Sequence, residues 1–173
     1  MISKNELKYY SSLLYKKYRE KEKKFLLEGT KIVWEGINSG YHAEVVFVTH
    51  SYIVDNKQLI KNFSNKKLRV EILKNIEFEK ISDTINPQGI AAVLKIPSPS
   101  AGIEICTLTS PIVCLENISD PGNVGTIIRN SDWFGIKDLI MSKNCAEVYN
   151  PKTIRASMGS VFHLNLFIET DLP

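Results

Sequence analysis

The run "SPIVCLENISDPGNVGTIIRNSDWFGI", Ser110 to Ile136, constrains this chain's fold more than any other stretch. Its opening is continuously apolar, as expected for a strand covered on both faces. Asp120 and Pro121 then read as a helix start, a carboxylate cap followed by proline in the first turn. Val124, Ile127, Ile128 and Ser131 fall at i, i+3, i+4 and i+7, so that stripe should face the sheet. Arg129 lies well off it, near Thr126. The pattern then recurs. "KDLIMS" reads as a strand, "NPKTIRASMGSVF" as a helix capped by Asn150 with Pro151 in its first turn, and "HLNLFIE" as a third strand. The result is βαβαβ, a framework on which ligands sit beyond the carboxyl ends of the strands.

The glycines of the turn are ambiguous by themselves. Gly122 and Gly125 do not make GxGxxG, and GxxxxGK[ST] occurs nowhere in the chain, so neither a dinucleotide fingerprint nor a P-loop is present. They serve either the geometry of a turn beside a surface arginine or the approach of a ligand. In the second helix, Lys152 and Arg155 occupy the first turns, where the macrodipole disfavours cations. They share a face with Gly159 at i, i+3 and i+7, so an anion is expected there. Ala156, Ser157, Gly159 and Ser160 are small, which suits either tight internal packing or a subunit interface.

"KIPSPSAGIE", Lys95 to Glu104, has the proline, serine and glycine content of a linker. We therefore place one domain at 1–96, a linker at 97–103 and a second domain at 104–173. In the first domain, residues 5–18 read as a helix with Leu7, Tyr10, Leu14 and Tyr18 on one stripe. "KFLLEG" reads as a strand, "GTKIVWEGINSG" as a helix closed by Gly40, and "AEVVFVTH" as a buried strand. "KLRVEIL" is a further strand, followed by a short helix from Lys74, and "QGIAAVLKI" is the last strand. This alternation predicts an α/β domain with a mainly parallel sheet.

Charge bears on partners. The 22 Lys and Arg against 19 Asp and Glu sum to +3, yet residues 1–24 alone carry a net +5. Such a segment is either a solvated helix face or a footprint for a polyanion. Tyr9, Tyr10, Tyr15 and Tyr18 interleave with its lysines, and rings can stack on bases. No apolar run approaches the roughly 20 residues of a membrane helix, and the N-terminus lacks a signal-peptide apolar region. Cys106, Cys114 and Cys145 form no CxxC, and Cys114 in "PIVCLEN" reads as a buried reduced thiol. These features lead us to expect a cytoplasmic protein without disulfides, metal site or membrane partner.

"LENISDPGNVGTIIRNSDWFGI" followed by "VYNPKTIRASMGSVFHLNLF" resembles the first and second motifs of the SpoU-type RNA ribose methyltransferases, of the SPOUT class of trefoil-knotted enzymes. "FLLEGTKIVWEGI" and "NPQGIAAVL" resemble that family's N-terminal substrate-binding domain, which is similar to small ribosomal RNA-binding proteins. The resemblance implies an α/β fold: a small RNA-binding domain joined to a Rossmann-like SPOUT domain. It implies methyl transfer from S-adenosylmethionine to a ribose 2′-hydroxyl of rRNA or tRNA, by a homodimer that shares its active sites. Carried over onto this chain, it makes Arg129 and Asn123 the catalytic pair. Glu116, Asn117, Asn150 and Ser157 support the motifs, Lys152 and Arg155 bind substrate, and Lys16 and Lys17 join them from the basic segment.

The chemistry implied is in-line attack by the 2′-oxygen on a sulfonium methyl, where positioning and activation of the hydroxyl dominate. Arginine is a poor base, with a pKa above about 12. Arg129 therefore reads as a cation that orients phosphate and stabilises alkoxide charge, with general base as the competing role. Asn130, Ser131 and Asn165 depart from the family's usual residues. The family's glycine-rich third motif, which completes the knot and most of the S-adenosylmethionine pocket, does not occur in these 173 residues. An incomplete knot is thus expected, in either a fragment of a methyltransferase or a truncated, non-catalytic RNA-binding protein.

Overall fold

The computed structural model describes residues 2–97 and 111–170, and the chain divides after Ile96 into two compact units. Apart from Pro97, the predicted linker 97–103 lies outside the described residues, as does Cys106.

The first unit is a four-stranded sheet of order β1-β4-β2-β3. Its strands are β1 (Lys24–Glu28), β2 (Ala43–Thr49), β3 (Val70–Leu73) and β4 (Ile90–Lys95). Only β2 and β3 run parallel; β4 pairs antiparallel with both β1 and β2. The expectation of a mainly parallel sheet is therefore corrected to a mixed one. The apolar run of β4 specifies a central, doubly covered strand, and it is buried from Ile90 to Leu94. Such a run carries no information on strand direction, which the connection before it decides.

One face of this sheet packs Leu26, Val45, Phe47, Ala91 and Val93 against Leu7, Tyr10, Leu13, Phe78 and Ile81. These come from α1 (Lys4–Ser12), the turn after it, and α6 (Asn75–Phe78) with its following residues. On the other face lies α3 (Thr30–Asn38), whose Trp34 ring sits 6.5 Å from Phe63 of α5 (Lys57–Asn65). Between β2 and α5 runs α4 (His50–Asp55), capped by Thr49; neither α4 nor α5 was predicted.

The helix predicted over 5–18 is two helices, α1 and α2 (Lys16–Glu22). The break has visible causes. Ser11 and Ser12 turn their hydroxyls back onto the Lys8 and Tyr9 carbonyls, which competes with helix continuation. Leu13 is fully buried, and the buried Arg19 donates from Nη1 to the Leu13 carbonyl at 2.8 Å. The predicted stripe holds at Leu7 and Tyr10, whereas Tyr18 is exposed.

The second unit is the expected βαβαβ. Strands β5 (Ile112–Leu115), β6 (Asp138–Ser142) and β7 (Asn165–Thr170) lie in that order, parallel throughout. They alternate with α7 (Pro121–Trp133) and α8 (Pro151–Ser157). Two details differ from the sequence reading. The helix predicted over 150–162 stops at Ser157, because Met158 and Gly159 are left-handed (φ 54° and 99°), and a 3₁₀ turn follows at Ser160–Phe162. Cys114 is exposed rather than buried, because β5 is an edge strand among those described.

Candidate functional site

The candidate site is built on α7 and the loops at the carboxyl ends of β5 and β6. Asp120 caps α7 as its residue type predicts: Oδ1 accepts from the Asn123 backbone N–H at 2.9 Å. Its second oxygen, Oδ2, takes Lys152 Nζ at 2.9 Å. The hydrogen bond from Lys152, followed by that from the Asn123 N–H, holds the Asp120 carboxyl below the usual carboxylate range. The anion anticipated near Lys152 is thus already present in the chain, as the N-cap of the neighbouring helix.

Arg155 is also reinterpreted. With α8 ending at Ser157, Arg155 stands in its last turn, where the dipole favours a cation. It is half-buried, with Nη1 out of solvent contact. Gly159 is outside the helix, so the predicted shared face of Lys152, Arg155 and Gly159 does not form.

The two turn glycines are explained by space. Neither has a positive φ. A Cβ on Gly125 would press on the Thr153 carbonyl and come 2.6 Å from Ala156 Cβ and 3.0 Å from Ser157 N. Gly125 is therefore where α7 and α8 cross, and the small residues Ala156 and Ser157 serve that internal contact. At Gly122 a Cβ would lie 2.8 Å from Asp120 Oδ1 and 3.3 Å from Lys152 Cε. That room lets the ion pair close over the helix start. Ser157 is buried and its hydroxyl donates to the Ile154 carbonyl at 2.8 Å, which is a packing role. Asn150 caps α8, accepting from Lys152 N at 2.9 Å.

At the strand ends, Glu116 and Asn117 are exposed. Asn117 is left-handed (φ 55°), and its N–H donates to Ser142 Oγ at 3.1 Å. The Ala146 N–H donates to the Ile118 carbonyl at 2.8 Å, and Cys145 Sγ lies 3.3 Å from the Leu115 carbonyl. These bonds tie the loop after β6 to the loop after β5, and nothing in the motif spacing had pointed to Ser142 or Cys145.

Asn123 and Arg129 are both exposed on α7 but are not adjacent. Six residues of helix separate them by about 9 Å along the axis and about 120° around it. Among the described residues nothing pairs with the Arg129 guanidinium. Beyond it, Asp132 accepts from His163 Nδ1 at 2.7 Å and lies 3.7 Å from Lys137 Nζ. Burial alone would raise the Asp132 carboxyl, but the hydrogen bonds from His163 and Ser160 outweigh it and lower it. This clamp on the end of α7 was not anticipated.

In the first unit the basic segment is partly structural. Lys24 Nζ pairs with Glu44 at 2.6 Å and donates to the Tyr9 hydroxyl at 2.9 Å. Burial opposes its charge, but these partners hold it above the usual lysine value. Tyr10 is buried and donates to Glu44 at 3.2 Å, with its hydroxyl pushed up to about 12 by burial and by the Glu44 charge. Lys16 and Lys17 are exposed beside Tyr15 and Tyr18, with Lys16 loosely paired to Glu20 at 3.5 Å. Among the described residues no three His, Cys, Asp or Glu side chains gather as metal ligands would, and no helix is long and apolar enough to cross a membrane.

A parallel βαβαβ unit whose Asp-Pro-capped helix presents a free arginine, preceded by a mixed-sheet α/β unit, defines a SPOUT-class protein with a substrate-binding domain. The chain belongs to the SpoU-type family: residues 4–92 match the MRM3-like substrate binding domain and residues 110–173 match the SpoU rRNA Methylase family. It is 32% identical to rRNA methyltransferase 3, mitochondrial, of Xenopus laevis, over 90% of this chain and 38% of that protein. It is 30% identical to the Bacillus subtilis 23S rRNA (guanosine(2553)-2′-O)-methyltransferase RlmP, over 97% of this chain and 63% of the relative. A solved structure described as an RNA methyltransferase of the TrmH family from Porphyromonas gingivalis superposes with a TM-score of 0.78 at 30% identity, over 97% of this chain and 63% of that one. An AdoMet-bound rRNA methyltransferase from Sinorhizobium meliloti superposes at 0.80 and 25% identity, over 97% and 62%. The chain thus spans less than two thirds of the length of each of these relatives.

Proposed function

We propose that the protein to which this chain belongs transfers a methyl group from S-adenosylmethionine to a ribose 2′-hydroxyl of RNA, rRNA in the first instance, with tRNA as the other candidate. The observation that carries this reading is one chain holding both a substrate-binding-domain fold and a SpoU-type βαβαβ unit, with Arg129 unpaired on its first helix. The names of the relatives support rRNA and the 2′-oxygen, and the AdoMet-bound neighbour supports the methyl donor.

In this reading S-adenosylmethionine supplies an electrophilic methyl on a sulfonium that leaves readily. The main chain at the ends of β5 and β6, tied together through Asn117, Ser142 and Ala146, forms one wall of its site. The other walls belong to the part of such proteins that this chain does not span. Arg129 holds the RNA phosphate and stabilises negative charge developing on the 2′-oxygen; its pKa makes it a poor base. Asn123, at the start of α7, contacts substrate from the strand-end side. Glu116 and Asn117 line that side, Lys152 and Asn150 shape the helix starts, and Arg155 and Ser157 hold α8. Since Asn123 and Arg129 point to different sides of α7, one active site draws both only if a second copy supplies one of them. A homodimer with shared sites follows from that reading, and a cytoplasmic location is proposed with it.

The test is incorporation of tritium-labelled methyl groups into ribosomal and transfer RNA by the full-length protein and its Arg129→Ala variant, beside thermal melting of both. Expected is ribose-borne label with the wild type and a loss of about 100-fold or more with Arg129→Ala at unchanged melting temperature. No label from the wild type overturns the activity, and near-wild-type labelling by the variant overturns the role of Arg129.

A further inference from the structure

The exposed side of α7 carries a residue that neither the core nor the βαβαβ framework explains. Trp133 is 86% exposed, in the last turn of the helix. No ring or cation among the described residues packs against it. Tryptophan is no better a helix former than the smaller polar residues, and a ring of this size stabilises a fold only when buried. Local structure therefore gives no reason for an indole here.

Its neighbours do. Arg129 precedes it by four residues, the spacing at which side chains on a helix meet, about 5–6 Å apart at Cβ. Thr126, Asn130 and Trp133 lie at i, i+4 and i+7 and form one exposed stripe with Arg129 at its edge. The stripe contains no carboxylate. The one acid within α7, Asp132, is turned away into the clamp with His163. A guanidinium, an amide, a hydroxyl and an open indole, with no negative charge among them, match an unpaired nucleotide. The base stacks on the ring, the phosphate meets the cation, and the polar groups reach base or sugar edges. Self-association through this stripe is less favourable. A two-fold contact places the same surface on both copies, so two arginines would meet with no carboxylate to neutralise either.

We propose that Trp133 is a specificity-determining residue that stacks an unpaired RNA base beside the phosphate held by Arg129. This rests on the RNA-methylating reading above. It commits that reading to a substrate presented as a loop or single strand rather than a continuous duplex.

The chain has two tryptophans, so Trp34→Phe leaves Trp133 as the sole indole. The full chain in this background is titrated with a labelled single-stranded oligoribonucleotide and with a duplex of equal length, reading both RNA anisotropy and indole emission. Expected is quenching by the single strand that tracks its binding, little quenching by the duplex, and about tenfold weaker single-strand binding for Trp133→Ala. Trp133→Phe should recover most of that loss, and melting temperatures should match, since the side chain is exposed. If the RNA binds while the indole stays silent and Trp133→Ala binds normally, the stacking site is wrong and the RNA reading survives. If no RNA binds, both fail. If the emission shifts with protein concentration alone and Trp133→Ala dissociates a dimer in sedimentation, the stripe belongs to a second copy and the proposal is overturned.

Discussion

Gly125 shows how much one missing methyl group can decide. Replacing it with alanine gains helix propensity of about 1 kcal/mol. The new Cβ meets mainly main-chain atoms of α8, at Thr153 O and Ser157 N, together with Ala156 Cβ. Main chain cannot rotate aside, and overpacking of this kind costs about 1–3 kcal/mol. The balance should be destabilising, lowering the melting temperature by a few degrees. Gly122→Ala should be milder, because its neighbours are the movable ends of Asp120 and Lys152. A Gly125→Ala protein that melts at or above the wild-type temperature would show that α7 and α8 do not cross this closely. Residue type alone marked Gly125 as unusual. It could not tell space from backbone conformation, because the obstructing atoms lie some thirty residues further along the chain.

At the scale of elements, helix starts were legible and helix ends were not. Asp120, Asn150 and Ser3 each accept a hydrogen bond from their own helix's first turn, a contact within three residues that local sequence encodes. The ends of α1 and α8 depend on Leu13 and Arg19 finding the core and on Met158 turning left-handed. At the start of α1 the cap is also an acid sensor. Glu6 receives the Ser3 N–H at 3.0 Å and Arg69 Nη2 at 3.1 Å. The Ser3 backbone bond, then Arg69, lower its carboxyl from 4.5 to about 2. A depressed folded-state value stabilises the fold fully above pH 4.5, and that contribution is lost as pH falls from 4.5 towards 2. Urea unfolding of wild type and Glu6→Gln should therefore differ at pH 7, converge through that window and coincide near its lower end. A difference that stays constant across it would mean that the Glu6 charge plays no part in anchoring α1.

For the molecule as a whole, the consequence is electrostatic. Residues 1–24 carry a net +5, but Lys24 is held by Glu44 and Arg19 is buried. The charges available to RNA are the exposed ones, among them Lys16, Lys17 and Lys21. A Lys16/Lys17/Lys21→Ala variant should bind RNA more weakly and keep its melting temperature. Its slope of log affinity against log salt should flatten by about 0.7–0.9 for each phosphate that is no longer neutralised. Unchanged slopes would place the RNA elsewhere on the chain. Mutating Lys24 instead would confuse the outcome, because it would strand Glu44 and Tyr10 inside the unit.

The division of labour between sequence and tertiary structure follows the range of the forces involved. Apolar periodicity, caps and turn residues act within a few positions, so the strands, the βαβαβ order and the off-stripe place of Arg129 could be read directly from the chain. So could the boundary near residue 96. Strand direction in the first sheet, the burial of Arg19, the capture of Lys152 by Asp120 and the exposure of Cys114 could not. Each depends on a partner brought close only by folding, and a side chain's charge or apolarity does not specify which partner that is. The sequence named the groups able to meet an RNA; packing determined which of them remain free to do so.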